Sequence, residues 1–387
     1  MTKKKEILRS QYWTIVSLGL LAMTLTHRVS GQNSTTSPDT ASTGTSRYQQ
    51  ELSSLQRAIS RNFYDSATGY YKEWPGPDQP RHPYTYLWSL CALFQADNEI
   101  EKLEPRATLL QPLLSIIRDY DDPAPPQPGF ADYIRKFSGG ERYYDDNQWL
   151  GITALDAYAR TKDPQYPSLG REIYTFMMTG YDTVLTGGLY WKENRKTSKN
   201  TCSNGPGILV ALQLYEATKD RGYLDTALML YHWVNKTLKA PSGLYYDNIT
   251  IKGRISTPIL SYNTGTMLES NIYLYECTGD KNFLQEAISI ADSSLPYFYG
   301  GTRFRDSYWF NVVLLRAYQH LLTYDKDTKY IMGFKKCLDY ALQNEKNERG
   351  LFAEKGKLLD LVAHAGMLEM LARFAWLDQK GIIAHQQ

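Results

Sequence analysis

LYEATKDRGYLDTALML, residues 214–230, is answered 60 residues later by LYECTGDKNFLQEAISI, residues 274–290. In both copies an apolar-periodic helix ends at a polar turn, Thr218-Lys219-Asp220 or Thr278-Gly279-Asp280, and a second helix follows at once. The repeating unit is therefore a pair of helices, and chains built from such units are helical arrays.

Working outward at this spacing predicts twelve helices, over about 48–62, 83–97, 102–118, 145–160, 167–178, 204–219, 221–237, 261–278, 281–294, 307–322, 328–343 and 362–378. Six connectors share a second pattern of Gly, then aromatic or apolar residues, then charge. They read TGYYKEW at 68–74, GERYYDD at 140–146, TGGLYWKEN at 186–194, SGLYYDN at 242–248, GGTRFRD at 300–306 and RGLFAEK at 349–355. Six pairs joined this way predict an all-α fold, an (α/α)6 barrel of six inner and six outer helices. An open solenoid of stacked pairs is the alternative, but long, irregular units suit a closed toroid better. In the barrel the Gly-aromatic connectors converge on one face and can build a central cleft. Residues 48–378 are then one domain, followed by a tail at 379–387.

The amino end is of another kind. Lys3, Lys4, Lys5 and Arg9 precede an apolar run from about Tyr12 to Leu25, and small residues follow at Val29-Ser30-Gly31. This is the layout of a secretory signal, and the run is short for a membrane span. Export without stable membrane insertion is expected, to a periplasmic, cell-surface or extracellular location. Residues 32–47 read as a Ser/Thr-rich tether. Residues 1–31 hold five Lys/Arg and one Glu, so the remainder keeps 38 basic and 40 acidic of the 43 and 41 in the chain. That balance gives nothing to attract nucleic acid.

The four cysteines are far apart and lack metal spacing; Cys91, Cys277 and Cys337 fall in apolar helical patterns and read as buried thiols. No two of the six histidines stand at ligand spacing, and no Gly-x-Ser-x-Gly elbow is present. No metal or organic cofactor is expected. The 31 tyrosines and 8 tryptophans exceed what a core needs and suit a groove for sugars, peptides or proteins.

Carboxylates remain as the chemistry. Cleaving a glycosidic bond takes two, one ionised and one protonated, and a close pair can divide the work because charging one raises the pKa of the other. ERYYDDNQWLG, 141–151, puts Asp145 and Asp146 together at a helix start. Adjacent side chains on a helix diverge by about 100°, leaving room for a sugar carbon between them, and the helix amino end favours an ionised carboxylate. Tyr143, Tyr144 and Trp149 can hold the ring. A helix-capping pair is the competing reading.

These blocks resemble glycoside hydrolase family 76, the endo-α-1,6-mannanase family. The resemblance is carried by YYDDNQWLGIT (143–153), by GGLYWKENRKTSKNTCSNGPGILVALQLYEATKD (187–220), and by GLYYDNI (243–249) with LSYNTGTMLESNIYLYECTGD (260–280). RDSYWFNVVLLRAY (305–318) and the segment around Trp74–Trp88 match more loosely. The resemblance spans 48–378 and implies an (α/α)6 barrel acting on α-mannan or manno-oligosaccharides. It further implies endo-acting, retaining hydrolysis, with Asp145 as nucleophile and Asp146 as acid/base. Adjacency in sequence does not itself fix retention.

Further candidates for substrate contact are Asn200 and Asn204 (the latter equally a helix cap), Tyr262 and Asn263, and Arg305 with Asp306. Trp149, Trp191 and Trp309 are candidate sugar platforms or core residues. Arg316 reads as half of a buried ion pair. A monomer is expected. Transfer between glycans, glycan binding without cleavage, and attack on uronic acid ends are the alternative functions; the last would need basic groups in the site.

Overall fold

The computed structural model describes residues 46–76, 82–354 and 357–383. The proposed signal, the tether up to residue 45 and the last four residues of the tail lie outside that range. Twelve α-helices of eight or more residues form within it: α1 (Arg47–Asn62), α2 (Leu87–Leu103), α3 (Leu110–Ile117), α4 (Tyr144–Thr161), α5 (Gln165–Met178), α6 (Thr201–Thr218), α7 (Arg221–Thr237), α8 (Ser261–Thr278), α9 (Lys281–Tyr299), α10 (Tyr308–Leu321), α11 (Lys329–Asn344) and α12 (Leu361–Gln379).

Burial divides them into two rings. The even-numbered helices are buried nearly all round; all but four residues of α6 are inaccessible, for example. The odd-numbered ones bury one stripe, as α7 does with Leu224, Ala227, Leu230, Tyr231 and Val234. Each even helix packs on the next even one, α2 on α4, α6, α8, α10, α12 and back to α2, so the inner ring closes. Each odd helix lies against the inner helix before it, and α1 lies against α12. This is an (α/α)6 barrel, not a solenoid, because the last inner helix packs extensively on the first.

Two boundaries differ from expectation. α2 begins and ends later than predicted and absorbs the start of the expected third helix, which shrinks to Leu110–Ile117. Glu104-Pro105 explains the break: a residue before proline is pushed out of the helical region, and Glu104 sits at φ −123°, ψ 77°. α9 runs on to Tyr299 through an internal Pro296.

Ring closure requires close approach. A Cβ on Gly366 of α12 would fall 2.5 Å from the backbone nitrogen of Trp309 on α10, and one on Gly265 of α8 would fall 2.8 Å from the backbone of Leu314. Gly366→Ala is therefore expected to destabilise the protein by about 1–3 kcal/mol through overpacking, read as a lower urea midpoint at unchanged slope.

Outside the helices there are short antiparallel pairs and one three-stranded sheet, Ser198–Asn200 with Tyr246–Thr250 with Ile255–Ile259. Among the described residues no helix is long and apolar enough to cross a membrane. All four cysteines are free thiols, three buried and Cys277 half-buried.

Candidate active site

The inner helices run in parallel, so all six amino ends meet at one mouth of the barrel. Three connectors are stitched together there through their backbones. Tyr144 N donates to Trp191 O (3.0 Å) and Trp191 N to Ser198 O (3.2 Å), and the strand Ser198–Asn200 then pairs with Tyr246–Thr250. Buried charges brace the same loops. Arg142 grips Glu193 with two bonds of 2.6 Å and donates to four loop carbonyls, while Lys199 pairs with Asp182 at 2.6 Å.

These connectors and the inner helices enclose a cavity of about 530 Å³, within the usual range for a small-ligand site. Its wall includes Asp145 and Asp146 of α4, together with Trp149, Trp191, Asn200, Tyr262 and Trp309. Neither aspartate caps α4: the cap position is Tyr143, which makes no side-chain capping bond. Both lie half-buried in the first turn, where the positive end of the helix favours negative charge.

The two carboxyls are not equivalent. Asp145 Oδ2 accepts the indole N–H of Trp191 at 3.0 Å, Oδ1 accepts the backbone N–H of Asp146 at 3.2 Å, and the Cys202 thiol donates to the same group. Burial pushes Asp145 up to about 6, and these donors hold it from rising further. Asp146 is driven well above the ordinary carboxylate range, first by burial and then by the charges of Asp145 and Asp132. Burial and the neighbouring charges thus favour the protonated form at Asp146 more strongly than at Asp145, where three donors favour the carboxylate.

Aromatic rings form the floor. Trp309 meets Trp149 edge-on at 5.1 Å and Trp88 at 5.9 Å, and Tyr262 stacks on Phe310 at 4.1 Å. Trp191 stands at the rim, 40% exposed. Among the described residues the wall contains four aspartates, at 132, 145, 146 and 247, and no Lys, Arg or His.

A model of glycosyl hydrolase family 76 matches residues 47–336. The chain belongs to this family. The mannan endo-1,6-alpha-mannosidase DCW1 of Saccharomyces cerevisiae is 27% identical over 187 residues, 44% of this chain and 42% of the yeast protein. The match thus spans less than half the length of that curated relative. Among solved structures, the family 76 alpha-mannanase BT2949 of Bacteroides thetaiotaomicron superposes with a TM-score of 0.79 at 24% identity, covering 87% of this chain and 98% of the other. The family 76 alpha-1,6-mannanase of Salegentibacter sp. HEL1_6 gives 0.72 at 25% identity, covering 85% and 99%.

Five of the residues expected at the substrate of this family 76 chain do not line the cavity. Tyr144 is fully buried against Phe176 (5.1 Å), with its hydroxyl bonded to Thr179. Asn204 is also inaccessible: Oδ1 accepts Leu189 N (2.7 Å), and Nδ2 donates to Leu189 O and Asn200 O. This repeats Asn147, which makes the same three bonds to Phe130 and Tyr143. Asn263 is buried and reaches Asp247 at 3.4 Å. Asp306 accepts the first N–H of α8 from Ser261 at 2.7 Å, and Arg305 lies over the Tyr297 ring at 4.1 Å. Conversely, Tyr86, Trp88, Asp132, Cys202, Asp247 and Asn248 face the cavity and were not singled out from sequence. The Tyr246-Asp247-Asn248 echo of Tyr144-Asp145-Asp146 is the signal that would have found two of them. Asp132 and Cys202 carry no such mark.

Proposed function

We propose that this family 76 member is an exported glycosidase that cleaves α-1,6-mannosidic bonds within mannan backbones. It is endo-acting and retaining, with Asp145 as nucleophile and Asp146 as acid/base. One observation carries the chemistry: two neighbouring carboxyls open into one aromatic-floored cavity with their protonation states driven apart. Asp146 donates its proton to the departing glycosidic oxygen as Asp145 attacks the anomeric carbon. Asp146 then takes a proton from the water that releases the sugar. Trp191 presents its exposed ring to the substrate, Trp149 and Trp309 close the floor beneath it, and Asn200 offers an amide to its hydroxyls. The substrate class is supported by the names of the relatives. An inactive variant of the Salegentibacter enzyme, changed at two consecutive aspartates, is described in complex with alpha-1,6-mannotetrose. The acidic wall argues against uronic acids, whose carboxylates would face four aspartates without a cation. Export rests on the sequence of residues 1–31 alone.

The pH dependence follows from the two carboxyls. Activity needs Asp145 ionised, so kcat/KM rises as pH passes about 6, and it falls where Asp146 finally loses its proton. Trp191→Phe removes a donor to the charged form of Asp145. The rising limb is expected to shift to higher pH, and kcat/KM to drop about 10–100-fold, the worth of a hydrogen bond to a charged group. A pH–rate profile of both proteins on α-1,6-manno-oligosaccharides checks this. An unchanged rising limb would remove Asp145 from the role assigned to it.

A further inference from the structure

The opposite mouth of the barrel, where the inner helices end, holds a second cavity of about 380 Å³. Side chains of α2, α4, α8, α10 and α12 line it. Its inner layer is an ion-pair lattice. Arg316 donates to both oxygens of Glu269 (2.9 and 2.8 Å) and to both of Asp156 (2.5 and 3.0 Å). Arg373 bonds Glu369 at 2.8 Å and Gln319 at 3.0 Å and lies 3.4 Å from Glu99. These bonds tie inner helices together, and cations suit the negative ends of six helices.

The lattice does not account for the outer layer. Glu99, more than nine-tenths buried, points Oε2 into the cavity wall without accepting a hydrogen bond; the ammonium of Lys102 is 3.6 Å away. Asn98 and Gln319 each spend their amide oxygen on an arginine, at 3.1 and 3.0 Å, which leaves an NH2 donor on each. Trp376 is half-buried beside them, and Lys102 lies 4.8 Å from its ring centre. An acceptor that is ion-paired but accepts no hydrogen bond, two amide donors and an indole around a space of ligand size suit a ligand with apolar ring faces and an edge of hydroxyls. An anion fits poorly, because the cations of the wall are already paired: Arg316 with Glu269 and Asp156, Arg160 with Glu101, Arg373 with Glu369, His320 with Glu276 and Lys102 with Glu99.

We propose that this second cavity is a saccharide-binding site, separate from the catalytic one, that takes neutral mannosyl units of the same polymer. The choice of sugar rests on the mannan reading above; the presence of a site does not. Binding of one chain at both mouths raises the local concentration of the polymer without new chemistry.

The test is calorimetric titration of the full chain carrying Asp145→Asn and Asp146→Asn with α-1,6-mannotriose. Two binding sites per chain are expected, falling to one when Trp376→Ala is added. Lys102→Ala, at an exposed position, serves as a second variant and is expected to weaken the same site. With both aspartates intact, Trp376→Ala is expected to leave mannotetraose cleavage within about twofold and to slow polymer cleavage about tenfold. One site in every protein, with normal cleavage by the wild type, overturns this inference and leaves the catalytic reading standing. No binding and no cleavage by folded protein overturns both.

Discussion

Asp145→Asn is expected to lower kcat on α-1,6-mannan roughly 10⁴-fold or more, because an amide can neither attack the anomeric carbon nor carry the charge that stabilises it. Asp146→Asn is expected to cost about 10²–10⁴-fold, the usual worth of a general acid. The two losses are distinguishable. An aryl mannoside with an acidic phenol leaves with little help, so Asp146→Asn should cleave it at a rate much nearer that of the wild type, while Asp145→Asn should not. Stability should move the other way. Both carboxyls have folded-state pKa values above the ordinary one. Their contribution is fully present below the unfolded value near 4 and is lost as pH rises through the folded values. At pH 7 the folded protein therefore carries a penalty for holding Asp145 charged beside Asp146, and either Asn should raise the melting temperature. Loss of activity together with a higher Tm would identify the pair as a site kept for chemistry at the expense of stability. Loss of both would point to a structural pair.

Arg316→Met is expected to be the most destabilising change considered, by about 3–5 kcal/mol, since it strands the buried Glu269 and the half-buried Asp156 at the centre of the lattice. In thermal melts this should appear as a fall of roughly 5–10 °C. Burial alone would push Glu269 up; the charge of Arg316, helped by His320, holds it at about 2. In the wild type that group stabilises the fold above the unfolded pKa near 4.5 and stops doing so as pH falls through about 2. Without Arg316 burial dominates. The deficit should then be large at pH 7 and shrink as the medium becomes acidic enough to protonate Glu269 and Asp156. A Tm difference that does not narrow toward pH 4 would show that lost packing, not stranded charge, sets the cost.

The architecture was legible because its signals are local and repeated. Thr-Lys-Asp and Thr-Gly-Asp end their helices where expected, with Lys219 and Gly279 in the left-handed conformation. Six Gly-aromatic connectors mark the inner helix starts. The Asp pair was legible for a related reason: it is the charged end of one of these connectors, set directly at a helix start. Asn204 was left open between a sugar contact and a helix cap, because a buried amide that ties a loop to a helix resembles, in sequence, an amide waiting for a sugar. Its equivalence to Asn147 at the fourth position of α4, and to Asn311 at the same place in α10, distinguishes the two only after the turns are known. Asp132 and Cys202 reach the cavity through tertiary placement, Asp132 by way of a loop pinned to Glu141 N at 2.9 Å. Nothing in their local sequence carries that information. Arg305 and Asp306 sit on a connector of the expected kind, yet the cavity wall is supplied by the connectors before α2, α4, α6 and α8 and not by theirs.

The central claim is cleavage of α-1,6-mannosidic bonds by the Asp145–Asp146 pair. Its most direct test is to size the products formed from unbranched α-1,6-mannan by the wild-type protein and by the two Asn variants. The expected result is a ladder of internal oligosaccharides from the wild type and intact polymer from both variants. Intact polymer from a folded wild-type protein, or the same ladder from all three, would contradict it.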